Sequence, residues 1–298
     1  MRILHFSDPH FDLSLRTLPF KKWFGKRAVG ALNLLAGRGR VFDQAEEKIA
    51  ALNVFIKENN IDLLLSTGDF TALGLAAELR SSAELISPLT DVPYGFITVP
   101  GNHDIYAKDV ITNNHFFNNF GPAMQTDFPE YCTDGIWPFV RLIGEDIAVI
   151  AVNSAKPNPV PWRSDGHIPE IQLEVLNRIL DDERLTGRFL FVMTHYASRL
   201  QNGKRDTRLH GLHNADDFLS ICKKISTGAL LCGHVHRCYR TPLDGLKADL
   251  YCAGSATIEN HEGFWLFDVS SDACHASQGF FDADKYRYFT GQTRTEPI

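Results

Sequence analysis

The chain has 298 residues, of which 44% are hydrophobic and 22% charged, so it can bury a large core. Its formal net charge of −6 excludes a broadly basic surface and makes nucleic acid an unfavourable partner. No apolar run reaches the roughly 18–20 residues that span a bilayer. The chain opens on a strand pattern without room for a leader, and its six cysteines form no Cys-x-x-Cys pair. We therefore expect a cytoplasmic protein.

The first half of the chain alternates apolar strand patterns with helix patterns. The predicted elements are a strand over 1–7, a helix over about 45–58, a strand over 61–65, a helix over about 74–87 and a strand over 94–100. This βαβαβ order predicts a parallel sheet at the core of the protein.

Residues 16–40 interrupt this pattern between the first strand and the first helix. They carry seven Lys and Arg side chains interleaved with apolar and aromatic ones, and no acid lies between Asp12 and Asp43. This composition is typical of an amphipathic segment that lies on an anionic membrane surface. The alternative is an ordinary lid or helical insert with a solvated basic side, and the sequence leaves both interpretations open.

The second half contains further strands and helices separated by long loops. The predictions are a hairpin over 137–143 and 147–152, helices over about 169–182 and 215–224, strands over 189–193 and 229–232, and strand-like segments over 249–253, 264–269 and 279–288. We see no repeat or linker. The sequence thus predicts one domain over 1–298, with C-terminal strands from about 249.

Seven polar residues follow the ends of predicted strands, where sites in open α/β sheets lie. They are Asp8, His10, Asp69, Asn102, His195, His234 and His236. One metal ion cannot use seven such ligands, but two ions can if a carboxylate bridges them, and two-metal sites suit displacement at phosphorus. Nitrogen and oxygen ligands without thiolate favour Mn, Fe, Zn or Co over Ca or Mg.

These residues belong to blocks that stand in the order found in the calcineurin-like metallophosphoesterases. The blocks are Asp8-x-His10, Gly68-Asp69, Gly101-Asn102-His103-Asp104, His195 and Gly233-His234-x-His236. The chain resembles this family over residues 8–236. The resemblance implies an α/β fold, a four-layer sandwich of two packed mixed β-sheets flanked by helices. It also implies a phosphodiesterase-type hydrolase with two divalent or trivalent transition metal ions (Mn, Fe or Zn), whose bridging hydroxide attacks a phosphodiester or pyrophosphate bond.

The resemblance also implies a role for each position. Asp8, His10 and His236 would hold the first metal, Asn102, His195 and His234 the second, and Asp69 would bridge them. His103 would face the phosphoryl group and protonate the leaving oxygen or stabilise transition-state charge. Asp104 would orient His103 through its ring N–H.

The substrate is left open by the sequence. The resemblance is to bacterial members that act on phosphodiesters or pyrophosphates, including cyclic-nucleotide phosphodiesterases and enzymes that cleave a UDP-diacylglucosamine lipid precursor. Tyr196 stands where many phosphodiesterase members have a second histidine, which weakens a cyclic-nucleotide assignment. The basic segment favours a nucleotide-linked lipid and peripheral contact with the inner face of the membrane. We also expect Arg199, Arg205, Arg208 and His210, in the loop over 197–213, to contact the substrate.

Two other classes are alternatives. A chain of this fold can serve as a non-catalytic interaction scaffold, but the unbroken ligand set and His103 favour an enzyme. A nuclease would need a more basic surface than a net charge of −6 provides. Nothing in the sequence indicates the oligomeric state.

Overall fold

The computed structural model describes residues 1–11, 27, 44–158, 160–271 and 273–297, and only the backbone over 292–297. The basic segment predicted at 16–40 therefore lies outside the described residues, except for Arg27. Within the described ranges, no helix has both the length and the apolar character needed to cross a membrane.

Two six-stranded mixed sheets form the framework. The first sheet has the order β12-β11-β10-β1-β2-β3, in which β1, β2 and β3 run parallel and the other pairs antiparallel. Its strands are β1 (Arg2–Phe6), β2 (Leu63–Ser66), β3 (Phe96–Thr98), β10 (Phe264–Val269), β11 (Ala273–Asp282) and β12 (Arg287–Pro297).

The second sheet has the order β4-β5-β6-β7-β9-β8, with a parallel centre and an antiparallel strand at each edge. Its strands are β4 (Phe139–Ile143), β5 (Ile147–Ala151), β6 (Phe189–Met193), β7 (Gly228–Cys232), β8 (Cys238–Thr241) and β9 (Asp249–Ala253). The hairpin predicted from the sequence is β4–β5, which pairs Phe139 with Ala151 and Ile143 with Ile147.

Helices flank the sheets. The α-helices are α1 (Ala45–Glu58), α2 (Ala76–Ile86), α3 (Lys108–Thr112), α4 (His115–Phe120), α5 (Glu170–Ile179) and α6 (Ala215–Cys222). Short 3₁₀ helices cover Ser87–Leu89, Gly121–Met124, Pro129–Tyr131 and Glu183–Leu185. Each long helix buries its apolar face; in α1 this face includes Ile49, Leu52 and Ile56.

The main core lies between the two sheets. Phe191 of β6 and Tyr251 of β9 contact Phe267 of β10, with ring centroids 5.1 and 5.0 Å apart. Alternate residues of the same strands, such as Val192, point the other way into a second core with α5 and α6. Burial on both faces explains why these strands are apolar throughout. The architecture confirms the predicted sandwich of two mixed sheets flanked by helices.

The C-terminal strands differ from the prediction in one respect. The segment predicted over 279–288 as strand-like and turn-rich contains the end of β11, a turn and the start of β12, and the beginning of β11 at Ala273 was missed. The short strand β8 was not predicted at all. Both errors fall at or beside sheet edges, where strands have an exposed side and their apolar pattern is weak.

Candidate metal centre

The seven predicted ligands meet where the two sheets present the carboxyl ends of their parallel strands. Asp8, Asp69 and Asn102 follow β1, β2 and β3, and His195 and His234 follow β6 and β7. The backbone N–H of His234 donates to Asp8 Oδ2 at 3.0 Å, so the two sheets are joined at the site itself.

Asp8, His10 and His236 form the first ligand group. Asp8 Oδ1 lies 3.2 Å from His236 Nε2 and 3.6 Å from His10 Nε2. The two Nε2 atoms are 3.0 Å apart. One oxygen and two nitrogens thus converge on a single point, as the ligands of one cation do.

Asp69, His195 and His234 form the second group, with ligand atoms within 4.8 Å of one another. Asn102 joins it, because its Oδ1 lies 3.1 Å from His195 Nε2. Asp69 Oδ2 is 3.4 Å from His195 Nε2 and also 3.9 Å from His10 Nε2 of the first group. This one oxygen therefore faces both groups, which is the position that a bridging ligand needs.

The residues fit a pair of cations. Asp8 is fully buried, and its Oδ1 accepts no well-formed hydrogen bond from any of the described residues. A buried carboxylate oxygen without a donor is costly unless a cation satisfies it. The donor set of imidazoles, carboxylates and one amide, without thiolate, suits transition metals of intermediate softness.

The backbone at the site is strained. Asp8, His10, Asp69, His234 and His236 all have positive φ, between 40° and 71°. Such conformations cost about 1–3 kcal/mol each in non-glycine residues and cluster at functional sites. In a regular strand, successive side chains point to opposite faces of the sheet. The positive φ values break this alternation, so that all five side chains can converge on the site.

Glycines allow the carboxylates to lie against neighbouring backbone. A Cβ on Gly101 would lie 2.0 Å from Asp69 Oδ1, and one on Gly233 would lie 2.3 Å from Asp8 Oδ2. These contacts explain why glycine precedes Asn102 and His234 in their blocks.

The ionisable side chains of the site are buried close together, so each shifts the pKa of its neighbours. Burial alone would raise the pKa of Asp69, but His195 and His103 hold it well below its usual range. Burial alone would lower the pKa of His195, but Asp69 raises it to about 9. The Asp69 carboxylate therefore stays ionised, which is the form that binds cations.

Backbone carbonyls orient three of the histidines through the ring nitrogen that faces away from the ligand group. His10 Nδ1 lies 3.2 Å from Thr71 O, His195 Nδ1 2.7 Å from Thr67 O, and His234 Nε2 2.8 Å from His210 O. Such contacts fix the tautomer and ring orientation of metal-binding histidines. The sequence offered no signal for these carbonyls.

The carboxylate of Asp104 lies against the backbone of two loops at the site. Its carboxylate accepts the backbone N–H groups of Gly101, Asp69, Phe70 and Thr71 at 2.8–3.2 Å. The contact of His103 Nδ1 is with Ala72 O, at 2.6 Å. Through these N–H contacts Asp104 fixes the loops that carry Asp69 and His103. That Asp104 also orients the His103 ring stays a prediction.

Burial, and then the charge of Asp69, raises the pKa of Asp104 to about 7. The backbone N–H groups that it accepts oppose this shift, since they stabilise the ionised form.

Tyr196 is a site residue whose role the sequence did not reveal. It is fully buried, and its hydroxyl donates to Ser164 O at 2.6 Å. Its ring centroid lies 4.2 Å from that of His234. Tyr196 thus supports a proposed ligand by packing, at the position where a second histidine was considered.

The four proposed substrate contacts fall into different environments. Arg199 and Arg205 both pair with Asp216. Arg208 is exposed. His210 lies beside the centre: its ring is 4.0 Å from that of His234, and its Nδ1 is 2.5 Å from Asp206 Oδ2. The role of all four in substrate binding stays a prediction.

Comparison with known proteins agrees with this geometry. The family model of the calcineurin-like phosphoesterases matches residues 1–238. The chain belongs to the calcineurin-like phosphoesterase family. This confirms the predicted family, and with it the predicted class of enzyme, a metal-dependent hydrolase of phosphoric esters. Within the family, a probable cyclic nucleotide phosphodiesterase of Vesicomyosocius okutanii subsp. Calyptogena okutanii (strain HA) is 23% identical over 208 residues, which are 70% of this chain and 76% of the relative.

Solved structures share the fold. A dimetal phosphatase from Danio rerio superposes with a TM-score of 0.65 at 10% identity, over 99% of this chain and 98% of that one. The purple acid phosphatase PPD1 from yellow lupin (Lupinus luteus) superposes with a TM-score of 0.61 at 13% identity, over 99% of this chain and 53% of that one. At these identities the likeness concerns the fold alone.

Proposed function

We propose that this chain is a dinuclear metal-dependent phosphodiesterase or pyrophosphatase. The observation that carries the proposal is Asp69, whose Oδ2 faces ligand nitrogens of both groups. The two groups would hold two transition metal ions, for which Mn, Fe and Zn fit the ligand types. Bound there, the ions would supply charge stabilisation at the phosphoryl group and an activated water near neutral pH.

The chain's own residues position the reacting group. His103 lies beside the first ligand group, its ring centroid 5.0 Å from that of His10. Since His103 Nδ1 contacts Ala72 O, we assign Nε2 to the phosphoryl oxygen or the leaving oxygen. The backbone N–H of His103 donates to Asp69 Oδ1 at 2.7 Å, so the loop that carries His103 is tied to the proposed bridging ligand.

A metal titration of activity tests this proposal. The protein is stripped with a chelator, reloaded with Mn, Zn, Fe(II) or Mg, and assayed on bis(p-nitrophenyl) phosphate and on p-nitrophenyl phosphate. We expect metal-restored diester hydrolysis, with two ions bound per chain, and its loss in His103→Ala. Two bound ions without turnover of these esters or of nucleotide-linked diphosphates would favour the scaffold interpretation instead.

A finer candidate is a nucleotide-linked lipid cleaved at the cytoplasmic face of a membrane. An apolar cleft of about 550 Å³ favours it. The cleft begins at Pro100, two residues before Asn102, and Ile105, Phe117 and Trp137 line it. Phe117 is 47% exposed. An acyl chain would bury this surface while its phosphate reached the centre.

Liposome co-sedimentation tests the membrane part of this candidate. Arg27 is unsuitable for the test, because it is buried and pairs with Asp109 at 2.9 Å. The basic variant therefore changes Lys21, Lys22 and Lys26 to Glu. We expect weaker binding to anionic vesicles than for the wild type; equal binding contradicts the membrane role.

Neutralisation of Arg199, Arg205 and Arg208 to Gln tests the predicted substrate contacts. Their loss should raise KM for the physiological substrate more than for bis(p-nitrophenyl) phosphate. An unchanged kcat/KM on that substrate would leave Arg199 and Arg205 with only their ion pairs to Asp216.

A further inference from the structure

A second cleft, of about 620 Å³, opens beside the metal centre on the side of the second sheet. The proposed ligands His234 and His236 form part of its wall, so the cleft borders the proposed centre. The rest of the wall comes from the loop after β6, from the loop between β7 and β8 and from β8 itself: Leu200, Gln201, Asn202, Asp206, His210, Val235, Arg237 and Tyr239.

The wall offers one strong cation. Arg237 directly follows His236 and is exposed, and its guanidinium has no ion-pair partner among the residues that the structure describes. Arg199 and Arg205, in contrast, pair with Asp216. The planar guanidinium matches phosphate oxygens in a two-pronged geometry.

Neutral donors line the same cleft as Arg237. Asn202 Oδ1 accepts the backbone N–H of Lys204 at 3.0 Å, which leaves the amide NH₂ group of this cleft residue available as a donor. Gln201 adds a second exposed amide. The one acid of the wall, Asp206, is held by His210 at 2.5 Å, so its carboxylate is turned towards that imidazole.

The position of the cleft relative to the proposed metal ligands limits the kind of molecule that the cleft can bind. The ring of His210 lies 4.0 Å from the ring of His234. Arg237 directly follows the proposed ligand His236 and lines the same cleft, so a group that Arg237 binds would lie next to a phosphoryl group held at the centre. A substrate that places one phosphate at the centre and a second anionic group beside it at Arg237 is a diphosphate.

We propose that Arg237, with Asn202 and Gln201, forms a subsite for the second, non-reacting phosphate of a diphosphate diester. This inference rests on the proposed function and narrows it: the bond cleaved is the phosphoanhydride rather than an isolated phosphodiester. A water oxygen forms a new P–O bond to the reacting phosphorus and its proton is released to solvent. The anhydride P–O bond breaks, and the second phosphate leaves into the cleft with the bridging oxygen and its electron pair.

Binding measurements with two nucleotides that differ by one anionic group test the subsite. Wild-type protein loaded with metal is titrated with AMP and with adenosine 5′-(α,β-methylene)diphosphate, which resists anhydride cleavage. We expect the methylene diphosphonate to bind more tightly. Arg237→Gln should remove about 10- to 100-fold of that preference, the effect of losing a charge-assisted hydrogen bond, and Arg237→Lys should retain part of it.

Arg80→Gln is the matched control, since Arg80 is an exposed residue on α2 outside the cleft. An equal preference in wild type and Arg237→Gln overturns the subsite, as does a wild type that binds both nucleotides equally. Hydrolysis of bis(p-nitrophenyl) phosphate is measured on the same samples. If it is metal-dependent while the preference is unaffected, only the subsite fails; if it is absent, the proposed function fails as well.

Discussion

The ligand groups and the cleft walls beside them are built in opposite ways. Asp8, His10, Asp69 and His195 are buried, and a backbone amide or carbonyl holds one side-chain polar atom of each. Gln201, Asn202 and Arg237 of the cleft wall are exposed. Buried, over-determined groups cannot move without large cost, whereas exposed side chains can change at little cost to the fold. Under the proposed function, the buried ligand groups would set the reaction and the exposed cleft walls would set the substrate.

The largest effect should come from the residue that faces both ligand groups. Asp69→Asn should lower activity by more than about 100-fold, the upper range for losing a partner of a metal ligand. It should also reduce the bound metal below two ions per chain, measured by elemental analysis. Asp91→Asn, at an exposed position, is the control. Two tightly bound ions in Asp69→Asn would contradict the bridging role.

A substitution at Gly101 should disturb the proposed ligand groups by forcing the backbone away from Asp69. Gly101→Ala places a Cβ 2.0 Å from Asp69 Oδ1, so the loop or the carboxylate must shift. We expect weaker metal binding and a lower Tm, by calorimetry with and without metal. Gly121→Ala is a matched control, because its Cβ would meet its nearest neighbour at 3.5 Å. A metal affinity in Gly101→Ala equal to that of the wild type would show that the ligand groups can shift more easily than their burial suggests.

Asp104→Asn separates two roles for this carboxylate. The amide nitrogen cannot accept the N–H groups that Asp104 now accepts, so we expect a loss of about 1–3 kcal/mol in the free energy of unfolding. The contact of His103 with Ala72 should persist. Denaturant titration measures the effect. A variant of unchanged stability but without activity would instead support direct orientation of His103 by Asp104.

The smallest effect should come from the packing residue behind the second group. Tyr196→Phe keeps the ring against His234 but leaves Ser164 O without its donor. A loss of about 1 kcal/mol in stability is expected, with nearly unchanged kcat. Tyr94→Phe, at a position that is 45% exposed, is the control. A large fall in kcat would show that the hydroxyl has a catalytic role.

Much of the fold and the family could be read from the sequence. The βαβαβ run, the hairpin and the five motif blocks depend on local apolar periodicity and on polar residues at strand ends, and both signals survive without tertiary contacts. The weak points were the edge strands. There the apolar pattern of β11 continues through the turn into β12. Only the antiparallel pairing of the two strands with each other, as between Asp282 and Arg287, shows where one ends and the next begins.

The sequence by itself determined which residue types stand at the strand ends, and hence the chemistry that they can support. Only the tertiary structure decided how they are held. It placed Asp69 between the ligand groups, gave the turn that carries Asp104 its four N–H contacts, and put Arg237 in a cleft with His234. The reason is physical: the contacts of Asp69 with His10, His195 and the Asp104 carboxylate join segments far apart in the chain, and no local pattern records such distances.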